Sequence, residues 1–183
     1  PGARLGTGVE VGPFAVVEAG TGIGDGCELG AHSVVKRYTW MGARNRVHEG
    51  AILGGEPQDL GFDGGPSRLE IGDDNRIREG VTIHRATAPG GVTRVGSGCF
   101  LMAYSHVAHE DVIGDHVILA NNVALAGHVR IDERAFLSGG VVVHQFCRVG
   151  RLAMVGGNTK VTKDCLPFVI TDGAAGETVA SGK

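Results

Sequence analysis

From Leu5 onward, every sixth residue of this chain is aliphatic. The column runs through Leu5, Val11, Val17, Ile23, Leu29, Val35, Met41, Val47 and Leu53, resumes at Ile71, Ile77 and Ile83, and continues from Val95 to Val161. It makes 24 hexads, and Gly follows the aliphatic residue in 11 of them. A period of six fits neither the 3.6 of a helix nor the 2 of a simple strand. It fits a parallel β-helix, in which each repeat is one flat strand and one corner. The expected fold is therefore all-β, a hexapeptide-repeat solenoid.

The composition follows from that geometry. Gly supplies 32 of 183 residues and aromatics only 5%, because tight corners favour Gly and a narrow core has no room for rings. With the aliphatic residue as position one, position five is small or β-branched nearly throughout, from Val9 and Ala15 to Ala153 and Thr159. It is the second inward site. Cys27, Cys99, Cys147 and Cys165 all fall on it, as small buried hydrophobes without the spacing of a disulfide framework or a thiolate metal site. Asp111 breaks the rule, since a charge placed inward needs a partner.

Other global features exclude more than they identify. A net charge of -3 argues against nucleic-acid binding. No apolar run is long enough to insert in a membrane, no signal peptide is evident, and the expected location is cytoplasmic. The sequence begins at Pro1 without Met, as in a trimmed chain. Between residues 130 and 164 six basic residues (Arg130, Arg134, Arg148, Arg151, Lys160, Lys163) face three acidic ones, a surface that could meet an acidic partner.

Three hexads per coil give about eight triangular coils, a prism roughly 38 Å long at the usual strand spacing. Residues 1–166 form the solenoid and 167–183 an irregular tail. Gly, Asp and Pro interrupt the column at 59–70 and 89–94, which predicts two extruded loops. Both leave the end of the third face. His84 and His144 share position two of that face, His109 and Gln145 share position three, His128 stands at position four, and His106 leads into it. Rows of His and Gln beside two loops predict a cleft wall.

The densest cluster is Tyr104-Ser-His106-Val-Ala-His109-Glu110-Asp111. An imidazole can take a proton from a sugar hydroxyl if a carboxylate holds its other nitrogen. Glu110 or Asp111 supplies that group, although neighbours on a strand point opposite ways. Zinc on His84, His109 and His144, giving a hydratase, is one alternative. A binding solenoid without chemistry is another.

Seven segments carry a specific resemblance: Gly54-Gly-Glu-Pro-Gln-Asp-Leu60, Ile77-Arg-Glu-Gly-Val-Thr-Ile-His-Arg85, His106-Val-Ala-His109, Ile118-Leu-Ala-Asn-Asn122, Leu125-Ala-Gly-His-Val129, His144-Gln-Phe-Cys147 and Met154-Val-Gly-Gly157. Together, and in this order to about Gly173, they resemble the UDP-N-acetylglucosamine O-acyltransferases that begin lipid A synthesis. The resemblance implies a left-handed parallel β-helix, a homotrimer with clefts between prisms, and no cofactor or metal. It implies transfer of a 3-hydroxyacyl chain from acyl carrier protein to the 3-hydroxyl of UDP-N-acetylglucosamine. On this sequence His109 matches the general base, Glu110 its orienting acid, and the Gly127 N–H the oxyanion donor. Asp59, His84, His106, His128, His144 and Gln145 match positions lining the substrate cleft, and Gly157 the position that limits acyl length. A relative using acetyl-CoA and an amino sugar is the runner-up.

Three features depart from the family pattern. Glu110 stands where the family usually has Asp, and Gly61 where it has Lys. Beyond Gly173 the sequence carries no counterpart of most of the family's C-terminal helical domain, which helps hold the nucleotide.

Overall fold

In the computed structural model, which describes residues 2–173 and 177–179, the strands are mostly two residues long and fall into three sheets. Along the prism each sheet takes every third strand of the chain, and the second sheet then ends on the last two strands. Register partners lie one coil apart, as in Arg4↔Gly22, Glu10↔Glu28 and Val16↔Val34. Three hexads therefore close one turn of a triangular prism, a left-handed parallel β-helix.

The aliphatic column points inward. Val35, Leu53, Ile77, Leu101, Leu119, Leu137 and Val155 are fully buried, and position five packs beside them through Ala51, Val81, Val117 and Val141. All four cysteines are free and buried there. Asn45 and Asn75 occupy the same row, and each carboxamide oxygen accepts the amide one coil further on: Asn75 N donates to Asn45 Oδ1 and Cys99 N to Asn75 Oδ1.

Apart from Gly54, which leads into the first loop with φ +76°, glycine at position two serves space rather than backbone freedom. A Cβ on Gly24 would come 2.6 Å from the Gly42 carbonyl carbon of the next coil. The left-handed backbone lies two residues later, at position four. There Gly8 and Gly20 alternate with residues that carry side chains, including Phe14, Glu110, Asn122, His128 and Phe146 at φ near +60°. Such residues are unusual in that region. Here the corner imposes it on each coil.

At both interruptions of the column a strand begins before the expected loop ends. Strand Arg68–Ile71 begins inside the expected 59–70 loop, and strand Val92–Val95 inside 89–94. The two strands pair with each other from Arg68↔Val92 onward, so their inserted arms stack before rejoining the wall. Leu69 and Thr93 become fully buried inward residues that the broken aliphatic column did not indicate. Within the expected irregular tail, strand Ile170–Asp172 extends the second sheet and pairs antiparallel with Glu177–Val179. The tail carbonyls of Val169 and Thr171 thus accept the Met154 and Gly156 amides that the last coil would leave open.

Candidate active site

The third face carries an open groove of about 410 Å³, with Gln58, His84, His106, His109, Gly127 and Gln145 among its walls. Strands Thr82–His84, His106–Val107 and Ala124–Leu125 set its floor. Because their repeats are in register, residues at one hexad position stack: His109, Gly127 and Gln145 form one row. Ala108 and Ala126, small residues in the neighbouring row, leave the space open.

His109 is held at one end of its ring. Its Nδ1 lies 2.5 Å from Glu110 Oε2. Strand alternation would separate these adjacent side chains, but Glu110 sits at the left-handed corner with φ +57°, where alternation no longer applies. The other carboxylate oxygen accepts the Thr87 N–H at 2.7 Å and the Ala88 N–H at 2.9 Å. The Glu110 N–H donates to Thr93 Oγ1 at 2.9 Å. Burial pushes the Glu110 carboxyl up. The Ala88, His109 and Thr87 hydrogen bonds outweigh it and hold the group below the ordinary carboxylate value, ionised. An anion at Nδ1 keeps the proton there and leaves Nε2 as the free, basic nitrogen.

Nε2 is 3.7 Å from Asp59 Oδ2, presented by the extruded loop. Arg85 pins that loop. It is almost wholly buried, donates to Gly65 O at 2.9 Å, and packs its guanidinium over Phe62 at 4.8 Å. Across the groove, the His109 ring covers Gly127 so closely that a Cβ there would overlap it. Elsewhere a position-three amide donates to an Asp of the next coil, as Thr7 does to Asp25 and Ser97 to Asp115. Gln145 stands where that Asp would be, and among the described residues the Gly127 N–H has no acceptor. A free amide beside a base is what an oxyanion needs.

His84 and His106 are neutral counterparts. Strand register slips between Ile83 and His84, which re-aims the His84 ring. Burial, then the neighbouring His106 and His109, lower its pKa to about 4. Its Nδ1 is buried without a partner. The His106 ring meets it edge-on at 4.7 Å, and His106 Nδ1 lies 2.7 Å from Thr82 Oγ1. Burial and His109 lower the His106 pKa as well.

The groove thus gathers His84, His106, His109, Gly127 and Gln145, with Asp59 at its mouth and Glu110 behind His109. His128 flanks the pair, its Nε2 3.9 Å from Glu110 Oε2. Two expected positions do not line the groove of a single prism. His144 is exposed, with Nδ1 3.1 Å from Gln145 O. Gly157 lies on the corner between the second and third faces, facing Gly139 O. Several contributors carry no sequence signal: the Thr87 and Ala88 amides and the Thr93 hydroxyl. Phe146, stacked on His128 at 4.7 Å, was legible only as part of the His144-Gln-Phe-Cys147 segment. Gln58 was legible only as part of the Gln-Asp segment.

His84, His109 and His144 do not converge as a metal site. Among the described residues the third-face group with metal-ligand spacing is His109, Glu110 and His128, and a metal at His109 Nδ1 would displace its bond to Glu110. The basic stretch is partly neutralised. Arg130 and Arg148 both pair with Asp132, and Arg134 and Arg151 with Glu133.

Residues 2–37 match the model for bacterial transferase hexapeptide, six repeats. The chain is 54% identical over 140 residues to the acyl-carrier-protein–UDP-N-acetylglucosamine O-acyltransferase of Synechocystis sp., covering 76% of this chain and 51% of that one. It is 44% identical over 178 residues to the enzyme of the same name from Stutzerimonas stutzeri, covering 97% and 69%. It therefore spans about half the length of the cyanobacterial relative. The solved structure of Francisella novicida UDP-N-acetylglucosamine acyltransferase superposes with a TM-score of 0.95 at 38% identity, covering 99% of this chain and 66% of that one. The Bacteroides fragilis enzyme gives 0.91 at 40%, covering 93% and 67%.

Proposed function

The chain belongs to the UDP-N-acetylglucosamine O-acyltransferase family, and from that premise we propose that its third-face groove transfers a 3-hydroxyacyl chain from acyl carrier protein to the 3-hydroxyl of UDP-N-acetylglucosamine. The observation that carries this reading is His109, fixed through Nδ1 by Glu110 and facing the free Gly127 amide.

In the proposed step, His109 Nε2 takes the proton of the sugar hydroxyl as its oxygen attacks the thioester carbonyl carbon. Glu110 stabilises the imidazolium that forms. The carbonyl oxygen becomes an oxyanion beside the Gly127 N–H, whose position is already set. The tetrahedral adduct then collapses: the ester forms, the carbon–sulfur bond breaks, and His109 returns its proton to the departing thiolate. His84, with a pKa of about 4, is neutral at working pH, so the groove avoids a second cation beside the one His109 acquires. Asp59 and Gln58, carried by the loop that Arg85 pins, stand at the mouth to contact the sugar nucleotide.

This reading includes a homotrimer. Leu60 on the loop and Phe146 beside His128 are exposed apolar side chains that a neighbouring prism would cover. A carrier-bound donor implies a cytoplasmic reaction.

The test is to incubate the 183-residue chain with UDP-N-acetylglucosamine and either 3-hydroxyacyl carrier protein or acetyl-CoA, following acylated nucleotide sugar by mass. Product from the carrier-bound donor alone is expected. Product from acetyl-CoA alone would move the chain to a different donor class. No product from either, with the nucleotide sugar still bound, would leave a binding solenoid.

A further inference from the structure

Asp111 is fully buried at position five of a third-face hexad, in a row that Val129 and Cys147 fill on the next two coils. Its two oxygens go to two different coils. Oδ2 accepts the Ala108 N–H at 2.9 Å, on the segment carrying His109. Oδ1 accepts the Val129 N–H at 2.7 Å, on the segment carrying Gly127 and His128.

The first bond replaces one the regular solenoid makes, and the second adds a tie between coils. In other third-face coils the position-two amide donates to the carbonyl of the next coil, as Ala126 N does to Val143 O and His144 N to Val161 O. Ala108 N does not reach Leu125 O; it turns to Asp111 instead. Correspondingly, the ladder between His106–Val107 and Ala124–Leu125 keeps only the His106↔Ala124 pair. Val129 N takes Asp111 as Asn75 N takes Asn45 and Cys99 N takes Asn75, a side-chain acceptor one coil back. One departure from the ladder and one bond across coils therefore lie on either side of His109 and Gly127, and one carboxyl group makes both.

We propose that Asp111 is a positioning residue that ties the His109 segment to the Gly127 segment and so sets the spacing between base and oxyanion donor. The consequence for turnover rests on the transfer proposed above. The tie itself rests only on the hydrogen bonds. Burying a carboxylate here is costly, and burial pushes its pKa up to about 8 despite the Val129 and Ala108 amides. An apolar residue would suit the core better, as Val129 does on the next coil. What the carboxyl group supplies is an acceptor for the amide that the interrupted ladder leaves over and for the Val129 amide one coil on.

Asp111→Val and Asp111→Asn test this. In Asp111→Val, kcat is expected to fall about 10- to 100-fold with both KM values within about threefold, because the groove persists while the reacting groups shift. Asp111→Asn keeps one acceptor and should recover part of that loss. Amide exchange at Ala108 and Val129, followed on the folded proteins, should speed up in Val and less in Asn. A folded variant with wild-type kcat per active site would overturn the positioning role, even if its melting temperature fell. If Val does not fold, the Asn variant decides by the same criterion. Without wild-type turnover the proposed transfer fails, and exchange alone decides the tie: unchanged rates refute it and faster rates support it.

Discussion

The imidazole of His109 lies over the α-carbon of Gly127, one coil further along the prism, so closely that a single methyl group at residue 127 would collide with it. The contact makes Gly127 a spatial requirement, since its backbone is not in the left-handed region. Gly127→Ala should therefore fold, and even lose some unfolded-state entropy, while tilting the base away from its acceptor. We expect kcat to fall about 100-fold with an unchanged melting temperature, measured by steady-state kinetics and thermal unfolding.

Glu110 divides its carboxylate between His109 and the loop amides of Thr87 and Ala88. Glu110→Gln keeps the shape and removes the charge that steadies an imidazolium. A kcat loss of about 100-fold is expected. Glu110→Asp is one methylene too short to serve both sides. It should retain the His109 contact, lose less than about tenfold in kcat, and cost about 1 kcal/mol of stability through the freed amides. Denaturant unfolding of the two variants separates these effects.

His84 links stability to pH. Its folded pKa of about 4 lies below the ordinary 6.5 because of burial and the adjacent His106 and His109. Below pH 6.5 the unfolded chain therefore binds a proton that the folded chain refuses. The stability His84 contributes is fully present above pH 6.5 and is lost as pH falls from there to about 4, on the order of 3 kcal/mol in all. His84→Gln should show a shallower decline over that window. Parallel curves for the two proteins, from denaturant unfolding at several pH values, would show that His84 does not titrate in this way.

The prism was legible because its rule is local and repeats: one aliphatic residue in six, and a small residue four places later. The same count put His109 and Gln145 in one row and both loops on the third face. The His109–Glu110 contact was harder to read, since strand alternation argues against it and only the left-handed corner permits it. Position-two glycine was also ambiguous: composition suggested backbone freedom, whereas contact with the next coil is the cause at every such site but Gly54. The edges of the inserted arms depended on Arg68–Ile71 pairing with Val92–Val95, a partnership between segments that have no aliphatic repeat to announce it. Asp111 was visible as an exception, but the two amides it serves belong to coils whose ladder breaks only in three dimensions.

The most direct test of the account is the turnover of His109→Ala with UDP-N-acetylglucosamine and 3-hydroxyacyl carrier protein. Nucleotide-sugar binding and circular dichroism should be checked on the same preparation. A kcat at least about 1,000-fold below wild type, in a folded protein that still binds the sugar nucleotide, is the expected result. A near-wild-type rate would contradict the assignment of His109 as the base, and with it the chemistry proposed for the groove.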